Sequence, residues 1–487
     1  MRLFTNKLVL SLFLLAVAVL FRFGQTDYDL SLDEADYSLA ARQGYRANYF
    51  DRDETRELRH FHGPVVAYMI RTSTLLFGEN EEAVRLPSRL VGTLFCVALF
   101  LLCVAAIPRE GLFIGFVSAF LMAVMPISTH VSGVANMHTA ASLLITLVFF
   151  FTHFFLESQK PVHLYTIAVL LAILFATMEY AFIAGGLTAL LMVIYPTAHL
   201  HIRPAKMTLS KNVFFAVGFF LVVLLLLWWA GLAELHLVKN FIYYLRYSQH
   251  GHPIEFADKL YYHVPQWAYL YWFIKLAPVF LVLAVLSFFY FLYKVIRDYR
   301  ARFQVMLLIY TLVFLIAMLR QHIMSARYSI YLLPFLYLVT GFFLNDLWQL
   351  KMRIARPLVV ILLLAVLATN LPSITKIIQG DYGFKQAAAY LKEHADEEDS
   401  ILTWYPGILK FYLPDHTAID AYNTGGATPE LIGTIKKQHY RFIILYANQV
   451  TRWPDDEGYA AIEEHYVLAR TIYQDEQPVL WLYQRPE

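Results

Sequence analysis

The chain is poor in cysteine and in charge, and each shortage excludes something. Only two cysteines occur among 487 residues, Cys96 and Cys103. Both lie inside one hydrophobic run, at a separation that spans roughly 10 Å along a helix, beyond disulfide reach. A disulfide-stapled scaffold is therefore excluded, and the two thiols are expected to be inert core groups. Aspartate, glutamate, lysine and arginine together supply 16% of the residues, where an average soluble protein carries about 25%. The net charge of +2 points to no nucleic acid, because the basic residues are scattered through short loops between hydrophobic runs. The sequence also has no internal repeat and no low-complexity tract.

What is present is apolar. Hydrophobic residues make up 59% of the chain, and several runs of roughly 15–25 residues carry almost no charge, the mark of membrane-spanning helices. Breaks between runs give about 11 transmembrane helices, near 8–23, 84–106, 111–127, 137–156, 162–178, 181–197, 212–231, 267–293, 303–320, 328–348 and 356–371. The fifth and sixth form one long stretch broken near Met178-Glu179-Tyr180, and read either as two spans or as two half-spans. The first run, Leu8 to Phe21, is followed by Arg22-Phe23-Gly24-Gln25 rather than a small-x-small cleavage site, so it reads as an uncleaved helix. Pro64 to Phe77 is apolar but too short to span, and is expected to lie at the outer surface.

Lysine and arginine in the short loops set the orientation. With the N-terminus cytoplasmic, the inner loops hold Arg109, Lys160, Arg203, Lys206 and Lys211, then Lys294, Arg297, Arg300 and Arg302, then Lys351, Arg353 and Arg356. The loop 24–83, the loop 232–266 and everything after 372 then fall outside. From Gly380 the composition becomes that of a soluble domain. Helices are expected at Phe384 to His394 and Thr428 to Gln438. Strands are expected at Ser400 to Trp404, Ala418 to Tyr422 and Arg441 to Tyr446, with a closing hairpin from Val467 to Tyr473 and Val479 to Tyr483. The expected organisation is a transmembrane module over 1–372 and a small extracytoplasmic α/β domain over 380–487. The fold class is thus a polytopic α-helical membrane protein with a C-terminal α/β domain.

Chemistry is concentrated in the first outer loop. Nine acidic side chains (Asp27, Asp29, Asp33, Glu34, Asp36, Asp51, Asp53, Glu54 and Glu57) lie between Gly24 and Gly63, with five arginines. An apolar membrane chain has no folding reason to gather charge there. If Leu32 to Gly44 is helical, Asp33, Asp36, Tyr37 and Ala40 share one face, and Glu34 lies about 100° around the helix. The two adjacent carboxylates cannot do the same job. One can act as a general base, which needs a single carboxylate within hydrogen-bond reach of the hydroxyl it deprotonates. The same acids would also serve as an N-terminal capping cluster.

Further along, His60-Phe61-His62-Gly63-Pro64 closes the loop and Arg85-Leu86-Pro87-Ser88 opens the second span. Gln321-His322 and Arg327-Tyr328 open a late span on the same side. A lone arginine at a membrane edge is commonly a snorkelling anchor, whereas two facing outward suit a phosphate, which arginine grips in a bidentate way. His60, His62, His250, His252 and His263 reach no recognised zinc spacing, and no metal is expected. The C-terminal segment shows no catalytic triad, glycine-rich phosphate loop or cysteine pair.

Taken together, Asp33-Glu34 after the first span, the His-x-Pro element ending at Pro64, Arg85-Leu86-Pro87-Ser88, Pro126 to His138 and Arg327-Tyr328 resemble the GT-C membrane glycosyltransferases. The resemblance is to the superfamily of protein O-mannosyltransferases and lipid A aminoarabinose transferases, and it covers roughly residues 1–200 and 320–345. It implies transfer of a hexosyl or pentosyl group from a polyprenyl-phosphate carrier, usually with inversion, to a glycolipid, glycan or protein acceptor on the outer face of the cell membrane. No cofactor is implied beyond the lipid-linked sugar. By the same resemblance Asp33 is the base and Glu34 positions the acceptor or the loop. Arg327 and Tyr328 meet the lipid phosphate, with Arg85 and His62 around the same cavity.

The chain departs from the pattern at three places. Asn136-Met137-His138 stands where relatives often have an acid, Glu179 where many have a lysine, and Gly63-Pro64 where Pro-Pro is commoner. The first two leave the donor sugar open. A transporter or flippase of lipid-linked sugars fits the hydropathy equally well. Such proteins tend to show paired repeats and midplane charges, however, and this chain keeps its acids in an outer loop.

Overall fold

The computed structural model describes residues 6–24, 29–43, 64–178, 180–198, 214, 217–226, 254–256, 259–261, 265–297, 302–320, 325–378, 383–403, 406–416, 419–421, 429–446, 456–474 and 476–486. They fall into two compact units. One comprises the described residues within 1–25, 51–78 and 85–378; the other those within 26–50, 79–84 and 379–487.

The first unit is helical. Its elements are α1 (Lys7–Phe23), then, after the acidic helix α2 (Leu32–Gln43) of the second unit, α3 (Val65–Phe77) and α4 (Glu81–Ala106), which enters from the second unit. There follow α5 (Gly111–Val124), α6 (Pro126–Gly133), α7 (His138–Ser158), α8 (Pro161–Phe175), α9 (Ala181–Ala198) and α10 (Val217–Leu226). After the short hairpin β1 (Ile254–Phe256) and β2 (Lys259–Tyr261) come α11 (Ala268–Leu276), α12 (Pro278–Arg297), α13 (Arg302–Leu319), α14 (Leu333–Gln349) and α15 (Ala355–Ile378). Every apolar run read from the sequence contains helix. Among the described residues five helices are long and apolar enough to cross a membrane, or six if the bent pair α5 and α6 is one span. Large apolar side chains on α12 (Val282, Leu286, Phe289, Ile296) and α15 (Ile361, Leu364) point outward. Such faces suit lipid and are uncommon on soluble monomers.

The run expected to be one span over 267–293 is divided. Pro278 has no N–H to continue the ladder, so α11 stops at Leu276 and α12 restarts with Pro278 as its first residue. Likewise the run expected from 328 opens with a 3₁₀ segment, Ala326–Tyr331, before α14 begins. Pro334 sits in the first turn of α14, where a missing N–H costs nothing.

Helix α5 and helix α6 meet at 63° across Met125 and Pro126. A helix that ends in an apolar interior leaves its last carbonyls without partners, and here each of the last four finds one. Leu121 O accepts the Met125 N–H at 2.9 Å. Met122 O accepts Arg22 Nη2 at 3.2 Å, and Ala123 O accepts Arg22 Nη1 at 3.5 Å and Thr129 Oγ1 at 3.3 Å. Val124 O accepts Asn370 Nδ2 at 3.1 Å. Arg22 is fully buried and continues the stripe Leu10, Leu14, Ala18 along α1. Its charge thus sits at the negative end of the α5 dipole. The return from α4 to α5 is close: a Cβ on Gly111 would lie 2.3 Å from Cys103 O, and one on Gly115 would lie 2.8 Å from Phe100 O. That small-xxx-small spacing lets two helix backbones touch. Cys96 and Cys103 are both buried and free.

The second unit is an α/β assembly. Its helices are α2, α16 (Phe384–His394), α17 (Pro406–Tyr412), α18 (Pro429–Lys436) and α19 (Asp456–His465). Its strands are β3 (Ile401–Thr403), β4 (Ile419–Ala421), β5 (Phe442–Tyr446), β6 (Val467–Gln474) and β7 (Gln477–Gln484). The sheet order is β4-β3-β5-β7-β6, parallel among β4, β3 and β5 and antiparallel across β7 and β6. Parallel neighbours need crossovers, and α17 and α18 supply them. Helix α16 buries Phe384, Ala387, Ala388 and Leu391, one face at i, i+3, i+4 and i+7. Leu402, Ile443, Leu445, Ile435 and Ile462 form the core beneath the sheet. The expected strands, hairpin and two helices all occur. Helices α17 and α19 were not read from the sequence: both are short, and Pro-Gly at the start of α17 reads as a turn.

Candidate active site

In the second unit, the acids are organised by the start of α2. The Ser31 N–H donates to Glu34 Oε2 at 2.9 Å, and the Glu34 N–H donates to Ser31 Oγ at 3.4 Å. This is a reciprocal capping box, Ser-x-x-Glu, and it buries Glu34 completely. Of the two adjacent carboxylates, Glu34 closes the helix end, and Asp33, about 100° away, is half-buried. Tyr37 and Ala40 on the Asp33 face are buried, and Asp36 is half-buried like Asp33. Of the alternatives read from the sequence for this cluster, Glu34 realises the capping one. Both acids also stand in the first helical turn, where the dipole favours negative charge.

In the first unit, three of the segments singled out in the sequence meet. Ser88, at the end of Arg85-Leu86-Pro87-Ser88, accepts the Asn136 N–H at 3.2 Å through its hydroxyl. Asn136 Oδ1 in turn accepts the His138 N–H at 2.9 Å, and Asn136 Nδ2 donates to Val131 O at 2.6 Å. His138, fully buried at the start of α7, bonds Tyr331 Oη through Nδ1 at 2.5 Å and sets its ring edge-on to Tyr328, centroids 5.3 Å apart. Ser142, one turn on, donates to Ile330 O at 2.8 Å. The 3₁₀ segment carrying Arg327 and Tyr328 is thus pinned to α7. Arg327 is half-buried with its guanidinium carbon 5.4 Å from the Tyr328 ring centroid.

Arg85 is fully buried, and so is Arg89 one turn along α4. Arg89 Nε donates to Gly133 O at 3.3 Å and its guanidinium lies over the Phe23 ring at 5.8 Å. Arg22 and Arg89 escaped the sequence reading. Each had a signal: Arg22 prolongs an apolar stripe, and Arg89 follows Arg85 by one turn. Of Asn136-Met137-His138, the segment read as a departure from the family pattern, His138 is the residue bonded to a tyrosine. His60, His62, Glu179, His250, His252, His263, Gln321 and His322 lie outside the described residues. Among the described residues no three His, Cys, Asp or Glu side chains gather as metal ligands would.

An apolar cavity of about 370 Å³ opens among α11, α12, α13 and the start of α14, within the roughly 300–1,000 Å³ range of small-molecule sites. Tyr269, Phe273, Phe280, Phe288, Met318 and Leu332 are among its lining residues. Leu332 directly follows the 3₁₀ segment, and Tyr269 bonds the backbone of Ser325, which precedes it. The cavity therefore begins beside the Arg327-Tyr328 turn.

The first unit carries several helices long and apolar enough to cross a membrane, and comparison with known proteins shows what the chain is similar to. Residues 61–229 match the family model for dolichyl-phosphate-mannose-protein mannosyltransferase. No curated protein matches the chain by sequence. Among solved structures, ArnT from Cupriavidus metallidurans bound to undecaprenyl phosphate superposes with a TM-score of 0.63 at 13% identity, covering 98% of this chain and 97% of that one. The apo form of ArnT from the same organism gives 0.62 at 15% identity, over 97% of each chain. AglB, the archaeal oligosaccharyltransferase from Archaeoglobus fulgidus in complex with an inhibitory peptide and a dolichol-phosphate, gives 0.63 at 11% identity, covering 94% of this chain and 72% of that one. The family model spans about a third of the chain, and the likeness to the solved structures is one of fold.

Proposed function

We propose that this protein transfers a sugar from a polyprenyl-phosphate carrier to a hydroxyl-bearing acceptor at the outer face of the membrane. The observation that carries the reading is the meeting of the Arg85–Ser88, Asn136–His138 and Arg327–Tyr328 segments, with an apolar cavity whose lining includes Leu332, just past the last of them. An isoprenoid tail matches the cavity's lining, and a phosphate matches the basic turn beside it. ArnT, whose fold this chain shares over nearly its whole length, was crystallised with a lipid of that class. The loop charges support a cytoplasmic N-terminus and an extracytoplasmic second unit.

In the proposed reaction the acceptor oxygen attacks the anomeric carbon, and the bond from that carbon to the phosphate oxygen breaks. Polyprenyl phosphate leaves with the electron pair, and Asp33 takes the acceptor proton. Asp33 is the carboxylate for this role because Glu34 is committed to its capping box. Arg327 offsets the charge that grows on the departing phosphate; fixed donors of this kind are worth about 10²–10³ in kcat. The donor needs no metal or further cofactor in this scheme.

The test uses the full-length protein in lipid nanodiscs with polyprenyl-phosphate mannose and an extract of envelope acceptors. Release of polyprenyl phosphate and formation of a new glycosidic bond are followed together by mass spectrometry. Asp33→Asn should abolish both while the protein still inserts, and Arg327→Ala should slow both. Undiminished turnover in Asp33→Asn would remove the base assignment. Movement of the lipid across the bilayer without any new bond would identify a flippase instead.

A further inference from the structure

We propose that α17, with Tyr412 at its end, is a positioning element that holds the acidic helix α2 and therefore the carboxylate of Asp33. The inference rests on Asp33 being the base. It gives the C-terminal segment a part in the reaction that its own sequence, with no recognisable catalytic motif, does not disclose.

The contacts bracket α2 along its length. The two residues before its N-cap are both fixed by the C-terminal segment. Asp29, 1% exposed, accepts the Lys385 N–H through Oδ2 at 3.1 Å, and the Leu30 N–H donates to Tyr412 Oη at 3.1 Å. The same Tyr412 hydroxyl donates to Glu81 Oε1 at 3.0 Å, and Lys385 Nζ pairs with Glu81 at 3.2 Å. In the middle of α2, Asp36 lies so close to α17 that a Cβ on Gly407 would fall 2.8 Å from its Oδ1 and 3.7 Å from Leu39 Cδ1. Near the end of α2, the Arg42 guanidinium stands over the Phe411 ring at 5.6 Å and pairs with Glu79 at 2.7 Å.

Tyr412 is the residue on which the bracket turns. A phenol has one proton to give and lone pairs to receive, and here it receives from the backbone beside the capping box and gives to Glu81. Burial, with Asp29 and Glu81 nearby, pushes its ionisation above the ordinary tyrosine value, so the proton stays in place at neutral pH. Phenylalanine would keep the ring packing and lose both bonds. The Leu30 N–H would then be free to shift, and Ser31 and Asp33 would shift with it. A base must sit within hydrogen-bond reach of its hydroxyl, and small displacements of reacting groups cost rate.

The experiment compares wild type, Tyr412→Phe, Gly407→Ala and Asp33→Asn as full-length proteins in nanodiscs, with polyprenyl-phosphate mannose as donor. Tyr412→Phe should lower kcat about 10- to 100-fold and leave the donor KM unchanged, and Gly407→Ala should act in the same direction by moving Asp36. Hydrogen exchange provides a second readout that needs no turnover: backbone protection over 29–43 should fall in both variants. Wild-type kcat and wild-type protection in Tyr412→Phe and Gly407→Ala, beside an inactive Asp33→Asn, would overturn the positioning role and leave the base assignment standing. A raised donor KM at unchanged kcat would also overturn it. An active Asp33→Asn would instead remove the base reading on which the proposal rests.

Discussion

Replacing Arg22 by methionine tests how the break between α5 and α6 is held. Methionine keeps much of the apolar stem and removes the guanidinium. Met122 O then loses its 3.2 Å donor, while Ala123 O loses one donor and keeps the Thr129 hydroxyl. One buried carbonyl stripped of its partner costs about 1–3 kcal/mol. Two effects oppose each other here. A buried cation carries a desolvation penalty, which its removal recovers, but the carbonyl bonds and dipole attraction that already offset that penalty are lost with it. Against this, Arg22 faces the negative end of α5, where helix ends attract cations, and the carbonyls it serves remain in place after the substitution. Only the donor disappears, so the orphaned acceptor decides the balance and the net expectation is a loss of about 1–3 kcal/mol. Thermal unfolding of the purified protein in detergent measures it. Thr129→Val is the control, because it removes one of two donors to Ala123 O and should cost only about 0.5–1.5 kcal/mol. If Arg22→Met unfolds at or above the wild-type midpoint, desolvation outweighs capping and the account of the break is wrong.

Two further expectations follow from single contacts. Ser88→Ala removes the acceptor of the buried Asn136 N–H, and should cost about 1–3 kcal/mol in the same unfolding assay, with a larger loss of activity than of stability if the Asn136–His138 turn orders the Tyr328 segment. The Tyr412 proton is held above the ordinary value of 10.0 by burial and by Asp29 and Glu81. The unfolded chain therefore ionises first, so the stability this group contributes is present below that value and is lost as pH rises past it. Alkaline unfolding followed by circular dichroism should begin above it, and Tyr412→Phe should flatten the alkaline limb; an unchanged limb would contradict the assignment.

Local pattern determined a great deal about this protein. Uninterrupted apolar runs can only be helices in lipid, because each backbone group must then be satisfied within its own segment. The helical segments consequently fall where hydropathy puts them. Alternation and flanking turns likewise placed the strands of the second unit, and the acids at the start of α2 read as a capping cluster, which the structure closes through Ser31 and Glu34. The motifs were legible one by one, in their order along the chain.

Tertiary structure alone decided which of them meet. Ser88 touches Asn136 across 48 residues and His138 touches Tyr331 across 193, and no periodicity encodes a partner so distant. That Glu34 rather than Asp33 closes the helix end also needed three dimensions, since adjacent acids look alike until one of them is buried. Arg22 reads as the edge of a span until α5 ends against it. Tyr412 reads as a surface tyrosine until Leu30 and Glu81 arrive from 382 and 331 residues away to share its hydroxyl. Helix and strand follow from the covalent spacing of side chains, which sequence displays. A site follows from which faces the packed chain turns toward one another, which it does not.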